Sequence, residues 1–346
     1  MKIWLQVFIL FLFCSFSNQQ ESHLQNIRQL TFGYDNAEAY FSPNGRFLTF
    51  QTNNKNWGLE CDQIFCMDIK KASNNKTYKP KKISTGHGRT TCSYFMPNGK
   101  DILYASTHRG TKSCPLEAPR ENGKYFWSIY DDYDIYVANP NGKIKSKLTN
   151  SKGYDAEATV SPRGDKIVFT STRSGDLELW TMDIDGKNQK QITHDLGYDG
   201  GAFFSPDGHE LVFRASRPKT QEEIKSYKEN LKKGLVQPTE MEIFTCHVDG
   251  SDLKQITHLG KANWAPYFHP SGKKIIFSSN HASKKGFDFH LYLIDLDGKN
   301  LKQITFDSYF NAFPMFSPDG KHLVFSSNRN NGGNHDTNIF IADWVE

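Results

Sequence analysis

The sequence predicts an all-β fold: a six-bladed β-propeller of four-stranded antiparallel blades, its ring closed by the N-terminal strand. Three observations carry this. First, a strand–turn–strand unit occurs six times, its best copy being Phe316-Ser317-Pro318-Asp319-Gly320-Lys321-His322-Leu323-Val324-Phe325. The turn prolines are Pro43, Pro97, Pro162, Pro206, Pro270 and Pro318, each followed two residues later by glycine. Second, each repeat holds four strand-like pieces, among them a short run ending in Thr such as Gln191-Ile192-Thr193 or Gln255-Ile256-Thr257. Third, the ends of the chain complement each other. The first clear strand, Ile27 to Thr31, is of the kind that ends a repeat, and the last, Ile339 to Ala342, is of the kind that precedes it.

Each element follows from local chemistry. Ser-Pro-Asp-Gly suits a type I turn, with Pro presetting φ at the second position and Gly free at the fourth. After each turn comes a triplet ending in an aromatic, such as Ile167-Val168-Phe169 or Leu211-Val212-Phe213; only Thr49 breaks its apolar rule. The last strands of several repeats close with Asp-Gly (Asp185-Gly186, Asp249-Gly250, Asp297-Gly298) or Asn141-Gly142, a hairpin signal. Six copies in one register are an internal repeat, and repeated four-stranded units make propeller blades. Closure by the N-terminal strand leaves no blade edge open.

The 346 residues include 14% aromatics and carry a net charge of +4, with Lys and Arg scattered along the chain. A scattered charge gives no basic stripe, which excludes nucleic acid as the expected partner. Residues 1–17 read as a signal peptide: Lys2, an apolar run from Trp4 to Phe13, and the small-x-small site Ser15-Phe16-Ser17. The run is too short to span a bilayer, so no transmembrane segment is expected in the mature chain. Phe13 before Cys14 argues against a lipoprotein anchor. Residues 18–26 form a short leader and residues 27–346 one propeller domain with a helical insertion near 220–234. In that insertion Thr220 and Glu223 fit a capping box and Ile224, Tyr227 and Leu231 share a face. The expected localisation is export, periplasmic or secreted, as a monomer. Without Cys14 five cysteines remain, so one thiol stays unpaired. Export permits a disulfide, and Cys61–Cys114 is the expected pair because both lie at strand ends or in loops.

The Ser-Pro-Asp-Gly-Lys-x-Leu-Val-Phe unit, with Gln-Ile-Thr before it and Asp-Gly after it, resembles the TolB-like propeller repeat across nearly all of the mature chain. TolB itself carries an α/β domain ahead of its propeller, and about ten residues separate the cleavage site from the first strand here. The resemblance therefore implies a stand-alone exported propeller of the type called Tol biopolymer transporter components. It specifies fold more than function.

Insertions fall in the loops between the second and third strands of the blades, notably Thr52–Gln63, Thr107–Tyr133 and Arg214–Glu240. Long loops crowded on one face of a rigid scaffold are where binding sites lie. The loops entering the blades bring Gly33-Tyr34-Asp35, Gly153-Tyr154-Asp155 and Gly197-Tyr198-Asp199 to the same face. Five residues before the turn prolines stand Glu38, Cys92, Glu157, Gly201, Ala265 and Phe313. The candidate ligand-binding residues at the channel mouth are thus Asp35, Glu38, His87, Arg89, Asp155, Glu157 and Asp199, with Trp57, Trp127 and Trp264 as stacking surfaces. Arg89 is expected beside the two glutamates, pairing with Glu38 or gripping a carboxylate. A divalent cation such as calcium is the candidate cofactor, at Glu38 and Glu157 or at Asp131, Asp132 and Asp134. Alternatives weigh against a site at each: hydrogen bonds to channel amides for the glutamates and a solvated turn for the aspartates.

The chain has no Gly-x-Ser-x-Gly elbow and no His-Glu-x-x-His. No catalytic residue is assigned. The expected function is an exported, non-catalytic binding or scaffold propeller of the cell envelope, taking an envelope or secreted protein, a peptide or a glycan. The alternatives are a metal-assisted lyase or hydrolase on a propeller and a regulatory propeller for a separately encoded peptidase.

Overall fold

The computed structural model describes residues 20–118 and 125–346. Six four-stranded antiparallel sheets form the blades, and we call their strands a to d from the centre outwards. Blade 1 is Asn36–Phe41, Phe47–Thr52, Gln63–Asp68 and Lys81–Lys82; blade 3 is Asp155–Val160, Lys166–Ser171, Glu178–Asp183 and Lys190–Gln191. Blade 6 takes strands a to c from Asn311–Phe316, His322–Ser327 and Asn338–Trp344 and its d strand from Leu24–Gln29. The ring is therefore closed by the N-terminal strand. It begins three residues earlier than the sequence suggests, because Leu24 pairs with Trp344 and is buried among blade 6 side chains. Glu21 adds a clamp: it pairs with buried Arg329 at 3.0 Å and accepts the N–H groups of Phe306 and Asp307.

The repeated residues now have physical reasons. In each a–b turn the glycine N–H donates to the carbonyl three residues back, as Gly320 to Ser317 at 2.8 Å, and all six glycines have φ between +64° and +75°. In three of the four Ser-initiated copies, Ser42, Ser205 and Ser317, Oγ also accepts the N–H five residues on, each at 2.9 Å. The Thr ending each d run caps a neighbouring strand. Thr149, Thr193, Thr257 and Thr305 accept the N–H groups of Ile135, Leu179, Ile243 and Leu291, and Thr31 does the same for Ile339 across the ring closure. Ser84, the weakest copy by sequence, accepts from Ile64 at 2.9 Å. The Gln two places earlier folds back onto the Thr carbonyl in four copies, Gln29, Gln191, Gln255 and Gln303.

The triplet aromatics Phe50, Phe169, Phe213, Phe277 and Phe325 are wholly buried between blades. At the ring's centre Tyr40, Tyr94, Phe203 and Tyr267 meet ring to ring, with centroids 5.2 to 6.2 Å apart. These aromatics belong to blades 1, 2, 4 and 5, so they plug the channel. The plug residues stand near the a–b turn ends of their strands, so what remains of the channel is a funnel towards the d–a and b–c loops.

The capping box on helix Gln221–Lys232 is present: Thr220 Oγ1 accepts Glu223 N, and Glu223 accepts Thr220 N. The segment after this helix does something the sequence did not suggest. Leu235–Val236 pairs with Trp127–Ser128 from the blade 2 insertion. The insertions of blades 2 and 4 thus join, and Tyr227 anchors the helix to Asp176 in the b–c turn of blade 3. Among the described residues no helix is long and apolar enough to cross a membrane. The signal peptide and Cys14 lie outside the described residues.

Candidate functional site

The site starts from an irregularity shared by all six blades. Every a strand has a register shift against its b strand at its third residue. That residue has positive φ in every case: Glu38 +54°, Cys92 +49°, Glu157 +57°, Gly201 +60°, Ala265 +51° and Phe313 +54°. Such a bulge re-aims the side chain, and six of them form a ring around the funnel. Side chains other than glycine are disfavoured there, so the blade packing holds them in place.

The ring has a polar side and an apolar side. Glu157 is saturated. It accepts hydrogen bonds from Arg214 Nη2 at 2.6 Å, Thr170 Oγ1 at 2.8 Å, Gly201 N at 2.8 Å and the Tyr198 hydroxyl. Burial pushes its carboxyl up, but the guanidinium and these donors prevail and hold it below the usual range. Gly201 makes this possible: a Cβ there would stand 1.9 Å from Arg214 Nη1. Arg214 is buried, lies over the rings of Tyr198 (4.8 Å) and Trp127 (5.2 Å), and has no partner for Nε.

Glu38 is different. The Cys92 thiol beside it favours its charged form, and among the described residues no ion pair holds it. Burial above all, with the charge of Glu157 adding, pushes it up to about 7. A buried carboxyl whose ionisation is shifted towards neutral pH is a candidate for ligand binding. On the opposite side Ala265 and Phe313 border Trp264, which packs on Phe289 (4.6 Å) and Phe313 (5.8 Å). Trp127 joins the two sides, edge-on to Trp264 at 5.8 Å and to Tyr198 at 6.3 Å. The Trp264 indole N–H is buried without a partner.

Several expected residues stand elsewhere. Arg89 does not meet Glu38. It pairs with Asp62 at 3.0 Å and Glu117 at 2.8 Å, two carboxylates that draw the guanidinium into the b–c loops of blades 1 and 2. The cation of the ring is Arg214, which pairs with Glu157 and stands at the end of a b strand where a loop was expected to begin. Its signal was its place directly after a triplet, where the other blades have Gln51, Ala105, Thr170, Ser278 and Ser326. Asp155 and Asp199 are buried in ion pairs with Arg173 and Arg217 and staple neighbouring strands. It is the tyrosine of that motif, Tyr198, that reaches the funnel. Asp35 is exposed and bonds the Asn53 side chain, and His87 is exposed on its loop. Trp57 packs on Phe65 at 5.0 Å with Lys79 over its ring.

Asp131 and Asp132 are exposed, while Asp134 pairs with Lys147 at 2.6 Å. They border a surface hollow shared with Arg109, Lys147 and Lys152, whose positive charges disfavour a cation. Among the described residues no group of three or more His, Cys, Asp or Glu side chains gathers as a metal site. All five described cysteines are thiols, with Cys61 and Cys114 close to each other.

The sequence profile of the TolB beta propeller domain (PD40) matches residues 126–234. A TolB homologue of Chlorobium luteolum is 38% identical over 53 residues, which is 15% of this chain and 12% of that relative. The structure of a TolB from Agrobacterium tumefaciens superposes with a TM-score of 0.59 at 20% identity, covering 92% of this chain and 97% of the other. TolB from Acinetobacter baumannii gives 0.54 at 18% identity, over 91% of this chain and 65% of the other. At these identities the structural likeness is one of fold. The repeat unit, the six closed blades and the profile match agree on a six-bladed β-propeller built from TolB-like repeats.

Proposed function

We propose that this protein is an exported binding propeller that holds a peptide, a segment of a partner protein or a glycan in the funnel on its loop face, without chemical turnover. The observation that carries this is the asymmetric ring: one glutamate neutralised by Arg214, a second glutamate held near neutrality, and an aromatic wall opposite. A rigid ring with a few directed polar groups and an apolar wall is what ligand recognition requires. Trp127 and Trp264 supply flat surfaces for an apolar side chain or a sugar ring. The signal peptide read at residues 1–17 and the resemblance to TolB support an extracytoplasmic location.

The test is a thermal-shift screen of the mature protein against peptides and oligosaccharides, since a ligand of the folded state raises its melting temperature. Binding should be weakened at least tenfold by Glu38→Gln or Trp127→Ala. Ligands that bind both variants as well as wild type would place recognition elsewhere. A carboxyl near neutrality also suits proton transfer, so each ligand is assayed for turnover. Turnover abolished by Glu38→Gln would replace the binding reading with an enzymatic one.

A further inference from the structure

We propose that Cys61 and Cys114 close into a disulfide clasp that ties the arm bearing Trp127 to blade 1. Gly88 is the junction between the two sulfurs. Its carbonyl accepts Cys61 Sγ–H at 3.1 Å and Gln63 Nε2 at 2.8 Å. Its N–H donates at 2.9 Å to the carbonyl of Lys112, two residues before Cys114. The next residue, Arg89, brings Nη2 to 3.8 Å from Cys114 Sγ. Both sulfurs thus lie against the same two residues, Gly88 and Arg89, and each thiol feels the other electrostatically. The other described thiols have different surroundings: Cys66 and Cys246 sit in c strands, and Cys92 faces Glu38.

The two sulfurs have distinct roles. Cys61 is 4% exposed and Cys114 is partly exposed. Cys114, as thiolate, attacks a small disulfide such as oxidised glutathione and releases one glutathione thiol. The Arg89 guanidinium offers positive charge beside the attacking sulfur. Cys61 then gives its proton to solvent and attacks the Cys114 sulfur, and the second glutathione leaves. Two protein thiols are oxidised and one glutathione disulfide is reduced to two thiols, so the exchange balances. Burial and the Cys114 neighbour push the Cys61 thiol up, against the pull of Arg89. The clasp fixes the stem of the arm whose far end, Trp127–Ser128, pairs with Leu235–Val236. This inference does not rest on the binding reading.

The experiment uses the full mature chain, reduced and then held with oxidised glutathione under native conditions, alkylated and digested without reductant. The expected result is one cross-linked peptide joining Cys61 to Cys114, with Cys66, Cys92 and Cys246 alkylated. Cys61→Ala should leave Cys114 as a glutathione mixed disulfide. Oxidised wild type should melt about 5 °C above the reduced protein, as closing a long loop predicts. Alkylation of both Cys61 and Cys114 in the folded oxidised protein would overturn the proposal, as would pairing of either with another cysteine. A lower melting temperature on oxidation would contradict a clasp that fits the native arm.

Discussion

Arg214 and Glu157 share one buried environment, and each makes the other tolerable. Removing one partner of a buried ion pair leaves an uncompensated charge, typically at a cost of about 3–5 kcal/mol. Arg214→Ala should therefore lower the unfolding free energy by about that amount in a denaturant titration, with Glu157→Gln costing less because the amide keeps some hydrogen bonds. Gly201→Ala should reproduce part of the loss, on the order of 1–3 kcal/mol, since its methyl would occupy the guanidinium's place at positive φ. Glu38 makes a prediction about pH. Its folded value near 7 lies above that of an unfolded carboxyl. Between about 4.5 and 7 the folded state therefore holds a proton that the unfolded state has lost, and stability falls as pH rises through this window. Glu178, raised to about 8, and Asp199, raised to about 6, slope the same way. The difference between wild type and Glu38→Gln isolates Glu38: the variant should be the more stable at pH 8, on the order of 1–3 kcal/mol. Equal stability at pH 8 and pH 5 relative to wild type would show an ordinary carboxyl. At this scale the sequence revealed positions but not directions. Glu38 and Glu157 were visible as equivalents, whereas the left-handed bulge that aims them is set by cross-strand register, to which no residue type in the ring is a guide.

Among the elements, the blades were legible because each repeats one chemical unit in one register. The N-terminal strand was legible as a blade end, yet its true extent was not, because Leu24 and Glu21 are fixed by residues some 300 positions away in sequence. A chain beginning at Leu30 would lose the d strand of blade 6, the Glu21–Arg329 pair and the edge protection of the ring. It should melt more than 10 °C below the full mature chain by differential scanning calorimetry; an unchanged melt would contradict closure by this strand. The pairing of the blade 2 and blade 4 insertions was not legible at all. Two-residue strands carry no periodicity, and their partner is set by the geometry of the ring between them. Val236→Pro removes a donor from this small ladder and a wholly buried side chain. It should quench or shift Trp127 emission while leaving global stability within about 2 kcal/mol, because the blades do not depend on the cap.

For the whole molecule, the closed ring makes a rigid frame and the plug of Tyr40, Tyr94, Phe203 and Tyr267 turns its channel into a one-sided funnel. The loop face was legible from insertion lengths, but the plug was not, since each ring aromatic looks like ordinary core until six blades bring four of them together. One-sidedness is the central claim, because it assigns recognition to the face of the d–a and b–c loops and leaves the tight a–b turns as support. Hydrogen exchange with and without the ligand found by thermal shift tests it most directly. Protection is predicted in the a strands around Glu38 and Glu157 and in the arm at Trp127–Ser128, with the a–b turns unchanged. Protection confined to the a–b and c–d turns would contradict a funnel-mouth site.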